Sequence, residues 1–164
     1  MSRPQPSALA ACAGAVVNVE IKNVPTDPGY DPAHRVAREV ESVLARGARG
    51  VGPWPAHVVV SSFWPETLAA FGAGHDAAPL GLLVHPALDA SSALDTALHL
   101  GCVALHPHHS QVSGELVARA HGLGLAVVTW TVNSPGDLDA AVGAGVDAVI
   151  TDSVLDTLTH LGRL

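Results

Sequence analysis

Glu20 and Lys22 are the residues of this chain whose types and spacing most directly suggest chemistry. They sit in Val17-Asn18-Val19-Glu20-Ile21-Lys22-Asn23. In a β-strand successive side chains point to opposite faces, so Asn18, Glu20 and Lys22 share one face while Val19 and Ile21 share the other. Lys22 is the only lysine; the other seven basic residues are arginines. A carboxylate and an ammonium two residues apart in an apolar strand have two readings. One is a partly buried ion pair, which is weak evidence for anything more; the other is a metal- or phosphate-binding pair at a strand end.

Other residue sets carry weaker chemical signals. His85, His106, His108 and His109 fall at two apolar strand ends, and imidazoles two apart in an extended segment can share a face as metal ligands. No cysteine or paired carboxylate accompanies them, which favours polar residues at the mouth of a sheet. Ser61 and Ser62 lack the Gly-x-Ser-x-Gly elbow of a hydroxyl nucleophile. Trp54 and Trp64 flank prolines and read as packing residues. Asp152 reads equally as a helix cap or a ligand contact, and Asp137 and Asp139 as helix-start carboxylates.

The elements that must position these residues follow from composition and pattern. At 164 residues the chain fits one domain with a sizeable core, and 48% hydrophobic against 14% charged residues excludes disorder. A net charge of -7 argues against nucleic acid or an anionic membrane as partner, because no basic patch can replace counterions. Cys12 and Cys102 stand far apart in apolar surroundings and read as buried free thiols in a reducing, cytoplasmic compartment. Leu9-Ala10-Ala11-Cys12 looks like a lipoprotein cleavage box, but Met1 to Ala8 leaves no room for an apolar segment, so the likeness is read as coincidence. No apolar run reaches the roughly 18 residues of a membrane span, and no membrane insertion is expected.

Alanine-rich Ser7 to Ala15 predicts the end of a helix, broken at Gly14 before the first strand. After the turn-rich Asn23 to Pro32, a helix is expected over Ala33 to Arg46 with Val36, Val40, Val43 and Leu44 on one stripe. Strands are predicted at His57 to Ser62, Leu80 to Val84, Cys102 to Leu105, Leu125 to Val132 and Asp147 to Ile150. Helices alternate with them at Pro65 to Phe71, Ser91 to Leu100, Ser113 to His121, Ser134 to Val142 and Ser153 to Leu161. Repeated βα units imply an α/β fold with a parallel sheet, whose strand C-terminal ends host the site. Gly72-Ala73-Gly74 follows a helix, the wrong context for a dinucleotide loop.

In order along the chain, Asn18-Val19-Glu20-Ile21-Lys22, Ser61-Ser62-Phe63, Trp130-Thr131-Val132-Asn133 and Val146-Asp147-Ala148-Val149-Ile150-Thr151-Asp152 resemble the glycerophosphodiester phosphodiesterase family. The resemblance implies a TIM (β/α)8 barrel that hydrolyses glycerophosphodiesters to glycerol 3-phosphate and an alcohol, in lipid and glycerol metabolism, with a divalent cation (Mg or Ca). It makes Glu20 a metal ligand, Lys22 the contact to the substrate phosphate, and Trp130 and Phe63 aromatic residues on the glycerol side. The family's His-Arg-Gly and Glu-x-Asp strands have no counterpart here; His34-Arg35 is followed by Val36.

By this count residues 7–164 form a partial barrel domain, strands three to eight of eight, consistent with a full barrel of about 250 residues. With the acid-base histidines absent, no catalytic residue is assigned. Cation binding is expected to be weak or absent and the isolated chain inactive. The partner implied is a small-molecule glycerophosphodiester, and open sheet edges imply self-association. The alternative is a non-catalytic truncated barrel acting as a binding or assembly module.

Overall fold

The computed structural model describes residues 15–48, 57–72 and 78–164. The expected helix end over residues 7–14, Cys12 and Trp54 lie outside them. The chain divides into two compact units, Met1–Leu80 and Gly81–Leu164. Among the described residues no helix is long and apolar enough to cross a membrane.

In the first unit β1 (Val16–Glu20) pairs in parallel with β2 (His57–Ser62), from Val16 opposite His57 to Glu20 opposite Ser61. One further rung follows, the Ile21 N–H donating to Ser61 O at 2.8 Å. Exposure alternates along β1: Val16, Asn18, Glu20 and then Lys22 are exposed, whereas Val17 and Val19 are half-buried and Ile21 and Asn23 buried. The buried side carries the helices. Ile21, Val60 and Ser62 are enclosed together with Leu68 and Phe71 of α2 (Pro65–Phe71), which starts with proline in its first turn, where a missing N–H costs nothing. Ser62 Oγ donates to Ile21 O at 2.8 Å and accepts the Trp64 N–H at 3.2 Å, tying the end of β2 to β1.

Asn23 binds this unit together. Its amide nitrogen donates to Asp31 O at 3.1 Å and to Thr67 Oγ1 at 3.3 Å, and its Oδ1 accepts the Asp31 N–H at 2.8 Å. Thr67 Oγ1 returns a bond to Asn23 O at 3.3 Å. His34 Nδ1 lies 3.0 Å from the Asn23 amide nitrogen and 3.2 Å from Thr67 Oγ1. To reach this place His34 adopts a φ of 48°, left-handed for a side-chain-bearing residue. The Asp31 carboxylate then accepts the N–H groups of Ala33 and Arg35 at 3.1 and 2.7 Å, starting α1 (Arg35–Ala48). The Arg35 N–H, with its guanidinium, holds that carboxyl below its ordinary range.

The expected stripe of α1 holds at Val40, Val43 and Leu44, which are half-buried, and changes at its first position. Val36, placed on the apolar stripe by periodicity, is 55% exposed, and Ala37 is fully buried in its stead. Ala37, Val40 and Leu44 form the inward stripe at i, i+3 and i+7. Periodicity leaves open which of two neighbouring apolar positions leads a stripe; the ties of Asp31 and His34 decide it.

In the second unit β3 (Leu80–Val84, its first residue closing the first unit), β4 (Ala104–Pro107), β5 (Ala126–Thr129) and β6 (Ala148–Val149) are parallel. Gly81 stands opposite Ala104, Leu105 opposite Val127, and Val128 opposite Ala148. Leu82, Val84, Leu105, Pro107, Val127 and Thr129 on one face are buried. The helices are α3 (Ala90–His99), α4 (Gly114–Gly122), α5 (Pro135–Ala144) and α6 (Val154–His160). Asp89, Ser113 and Ser134 cap the first three through side-chain oxygens, each satisfying N–H groups that a helix start leaves bare.

Several expectations shift here: the fifth strand is Ala126–Thr129 rather than Leu125 to Val132, and the sixth Ala148–Val149 rather than Asp147 to Ile150. The fourth strand begins at Ala104, two residues later than predicted: Gly101 takes a φ of 67° and the Cys102 N–H still closes α3 by donating to Ala97 O at 2.9 Å. Asp152 does not cap the final helix. Ser153 holds that position without a side-chain cap bond, while Asp152 Oδ2 accepts the Asn133 amide at 2.8 Å and its own N–H donates to Asn133 Oδ1 at 2.9 Å.

Replacing Asn23 with alanine leaves the Asp31 N–H and Asp31 O without their partner inside the unit. Asn23→Ala is expected to cost about 2–4 kcal/mol of stability by urea unfolding; an unchanged midpoint would remove Asn23 from this role.

Candidate active site

In parallel strands, residues opposite one another point to the same face, so the β1–β2 register gathers a specific set in the first unit. Glu20 and Ser61 are partners on the face opposite Val60 and Ser62; Lys22 is the second residue beyond the end of β1 and Phe63 the first beyond the end of β2. Glu20 and Lys22 are exposed, Phe63 half-buried and Ser61 buried. Among the described residues no ion pair joins Glu20 to Lys22, so the partly buried ion pair is set aside. What remains is a carboxylate and a long flexible ammonium presented side by side. Ser61 Oγ is fully enclosed with no hydrogen-bond partner, a feature the sequence did not disclose. Its neighbour Ser62 faces the helices and is fully bonded, and nothing in the string Ser61-Ser62 tells the two apart except strand parity.

A divalent cation would need more than this set. Hard cations are held by several charged oxygens, and Glu20 is the one carboxylate on this face among the described residues. No group of three or more His, Cys, Asp or Glu side chains that could hold a metal occurs among those residues. The donor set of the described residues does not fit a complete cation site.

In the second unit the face opposite the buried one carries Gly81, Leu83, Ala104, His106, Ala126 and Val128, ending in Trp130 and His108 at the strand C-termini. The Trp130 indole N–H donates to His106 O at 2.8 Å, and the His109 N–H donates to Trp130 O at 2.7 Å. His109 Nδ1 lies 3.3 Å from an Asp137 carboxylate oxygen. His85, His108 and His109 are exposed or half-buried at this end, as expected of polar residues at a sheet mouth. His106 departs from that expectation. It lies inside β4, 3% exposed, with neither ring nitrogen hydrogen-bonded. Gly81 makes room for it: a Cβ there would stand 2.5 Å from His106 Nε2. Burial lowers the His106 pKa to about 4, so the ring is neutral. The same cause raises the Cys102 thiol to about 11, which makes it unreactive.

Of the sequence-derived site residues, Glu20 ends β1 and Lys22 and Phe63 follow just beyond β1 and β2 in the first unit, and Trp130 stands at a strand end in the second. Asn23, His34 and Thr67, which fix the segment after β1 that bears Lys22, were missed; the Asn23–Thr67 partnership spans 44 residues and leaves no local pattern.

The sequence profile of the Glycerophosphoryl diester phosphodiesterase family matches residues 6–156. A glycerophosphodiester phosphodiesterase of Caldanaerobacter subterraneus subsp. tengcongensis is 36% identical over 67 residues, 41% of this chain and 27% of that protein. Among solved structures, a Silicibacter pomeroyi protein assigned to the glycerophosphoryl diester phosphodiesterases is 30% identical with a TM-score of 0.70, over 90% of this chain and 50% of that one. An Oleispira antarctica phosphodiesterase, solved with the product sn-glycerol-3-phosphate, is 22% identical with a TM-score of 0.73, over 91% of this chain and 56% of that one. The chain spans about half the length of these solved structures. Its fold class is α/β, an incomplete TIM (β/α)8 barrel of parallel strands and helices.

The buried imidazole has a consequence for acid stability. His106 titrates near 6.5 when unfolded and about 4 when folded, so the unfolded chain takes up the proton first. Stability is therefore fully present above pH 6.5 and falls between 6.5 and 4, by on the order of 3 kcal/mol. His106→Leu is expected to remove that part of the pH dependence in urea unfolding; an equally steep acid decline in the variant would contradict it.

Proposed function

The chain belongs to the glycerophosphoryl diester phosphodiesterase family, and from that premise we propose that it carries part of a centre hydrolysing glycerophosphodiesters to glycerol 3-phosphate and an alcohol. In this reading Lys22 contacts the substrate phosphate, Glu20 is one ligand of a divalent cation (Mg or Ca), and Phe63 and Trp130 lie on the glycerol side. The observation that carries it is the exposure of Glu20 and Lys22, two residues apart at the C-terminal end of β1 and just beyond it, with Phe63 directly after β2. An exposed ammonium on a flexible stem suits a phosphodiester, which remains a monoanion across the physiological range, because a point charge needs no fixed fork geometry.

The cation, when bound, would offset charge on the phosphoryl oxygens. Glu20 alone is too few charged oxygens to hold it firmly, so the 164-residue chain is expected to bind it weakly and to lack hydrolytic activity. The same shortage supports the second reading, a non-catalytic partial barrel acting as a binding or assembly module. Residues 7–164 are taken as one partial domain, self-associating through strand edges, and the buried thiol of Cys102 agrees with a cytoplasmic location.

Glycerophosphocholine hydrolysis tests the proposal in two proteins, the chain itself and a version extended upstream with strands bearing His-Arg-Gly and Glu-x-Asp. Activity is expected only in the extended protein, with Lys22→Ala and Glu20→Gln each lowering kcat/KM by about 10- to 100-fold, the value of a charge-assisted contact. Parent-like rates in both variants would contradict the assignment of this strand.

A further inference from the structure

Two rings meet at the strand ends of the second unit. A parallel bridge beyond the named strands sets His108 opposite Trp130. Both side chains therefore share one face. The indole is held by its N–H bond to His106 O at 2.8 Å, and His108 meets it edge-on, with centroids 5.0 Å apart and planes at 82°.

The tautomer of His108 follows from its partners. Its Nδ1 accepts the Ser110 N–H at 3.3 Å and lies 2.8 Å from Ser110 Oγ. A ring nitrogen that accepts a backbone N–H carries no proton, so the neutral ring bears its proton on Nε2. Burial disfavours a second proton, as do the neighbouring His109 and His85 rings, with Asp137 opposing them. His108 thus offers an uncharged, directional N–H donor beside the indole ring.

We propose that His108 is a binding residue for a small polyol, its Nε2–H donating to a hydroxyl oxygen of a molecule lying against Trp130. The inference rests on the reading that puts the glycerol moiety beside Trp130, and it names the group that makes this side selective for a hydroxyl. An indole alone accepts any apolar surface. A neutral N–H beside it is left without its partner when the hydroxyl is missing, which is how a site rejects a deoxy analogue.

Saturation-transfer NMR on the 164-residue chain tests this, with sn-glycerol 3-phosphate and 3-hydroxypropyl phosphate, which lacks the central hydroxyl, as probes. The parent should favour glycerol 3-phosphate. His108→Leu should weaken it by about threefold to tenfold and abolish the preference, while His108→Gln, which keeps a donor, should retain both. Parent-like affinity and preference in His108→Leu would overturn the proposal; if Trp130→Ala nevertheless lost binding, the placement of glycerol beside Trp130 would survive on its own. Loss in His108→Leu with no effect of Trp130→Ala would uphold the donor and overturn that placement. Absence of any binding by the parent chain would overturn the proposal.

Discussion

The geometry of the first unit depends on one buried amide. Side chains alternate along a strand with period two, so fixing the direction of one residue fixes its neighbours, and a slip of one would reverse them all. Asn23 is that fixed residue. It lies on the helix side with its nitrogen and its oxygen both bonded, and turning it outward would break bonds to Asp31 and Thr67 at once. Lys22, one residue earlier, and Glu20, the last residue of β1, are exposed, whereas Ile21 and Asn23 are buried. The arrangement also settles the start of α1, because Asn23 holds the backbone of Asp31, whose carboxylate begins that helix. One polar side chain so links a strand, a loop and the N-terminal ends of two helices.

Polar groups in the second unit follow a contrasting rule. Asp89, Ser113 and Ser134 satisfy helix starts at the surface, and Asn133 gathers Thr151 and Asp152 through its amide. His106 departs from this rule, enclosed with both nitrogens unbonded, and Gln111 Oε1 is likewise buried without a partner. Such a group costs free energy that an apolar side chain of like size would not, and the imidazole stays neutral for that reason. Its presence over Gly81 is a matched pair in volume: the side chain that Gly81 lacks is space that His106 occupies.

Much of the fold was legible because it is written locally. The strands His57–Ser62 and Leu80–Val84 and the helix Pro65–Phe71 have the ends that pattern and proline placement predict, and Ser113 and Ser134 cap helices as their positions suggest. What escaped was set by contacts distant in sequence. Val36 gave way to Ala37 because the helix start is anchored from Asn23, and β4 moved to Ala104 because Cys102 still closes the preceding helix. Asp152 carried a capping residue type, but Asn133, 19 residues earlier, holds its carboxylate. In the candidate site the alternation of Glu20 and Lys22 was readable directly. The family roles of Phe63 and Trp130 came from resemblance, and the enclosure of Ser61 and His106 had no sequence signal at all.

Asn23 holds the segment that follows β1 so that Lys22 faces outward. Because Lys22 is the only lysine, its acetylation by a soluble reagent, followed by peptide mass spectrometry, reports on that side chain alone. The account predicts a rate in the folded chain within a few-fold of the rate in the urea-unfolded chain. Strong protection of Lys22 that vanishes on unfolding would place it among the helices and contradict the account.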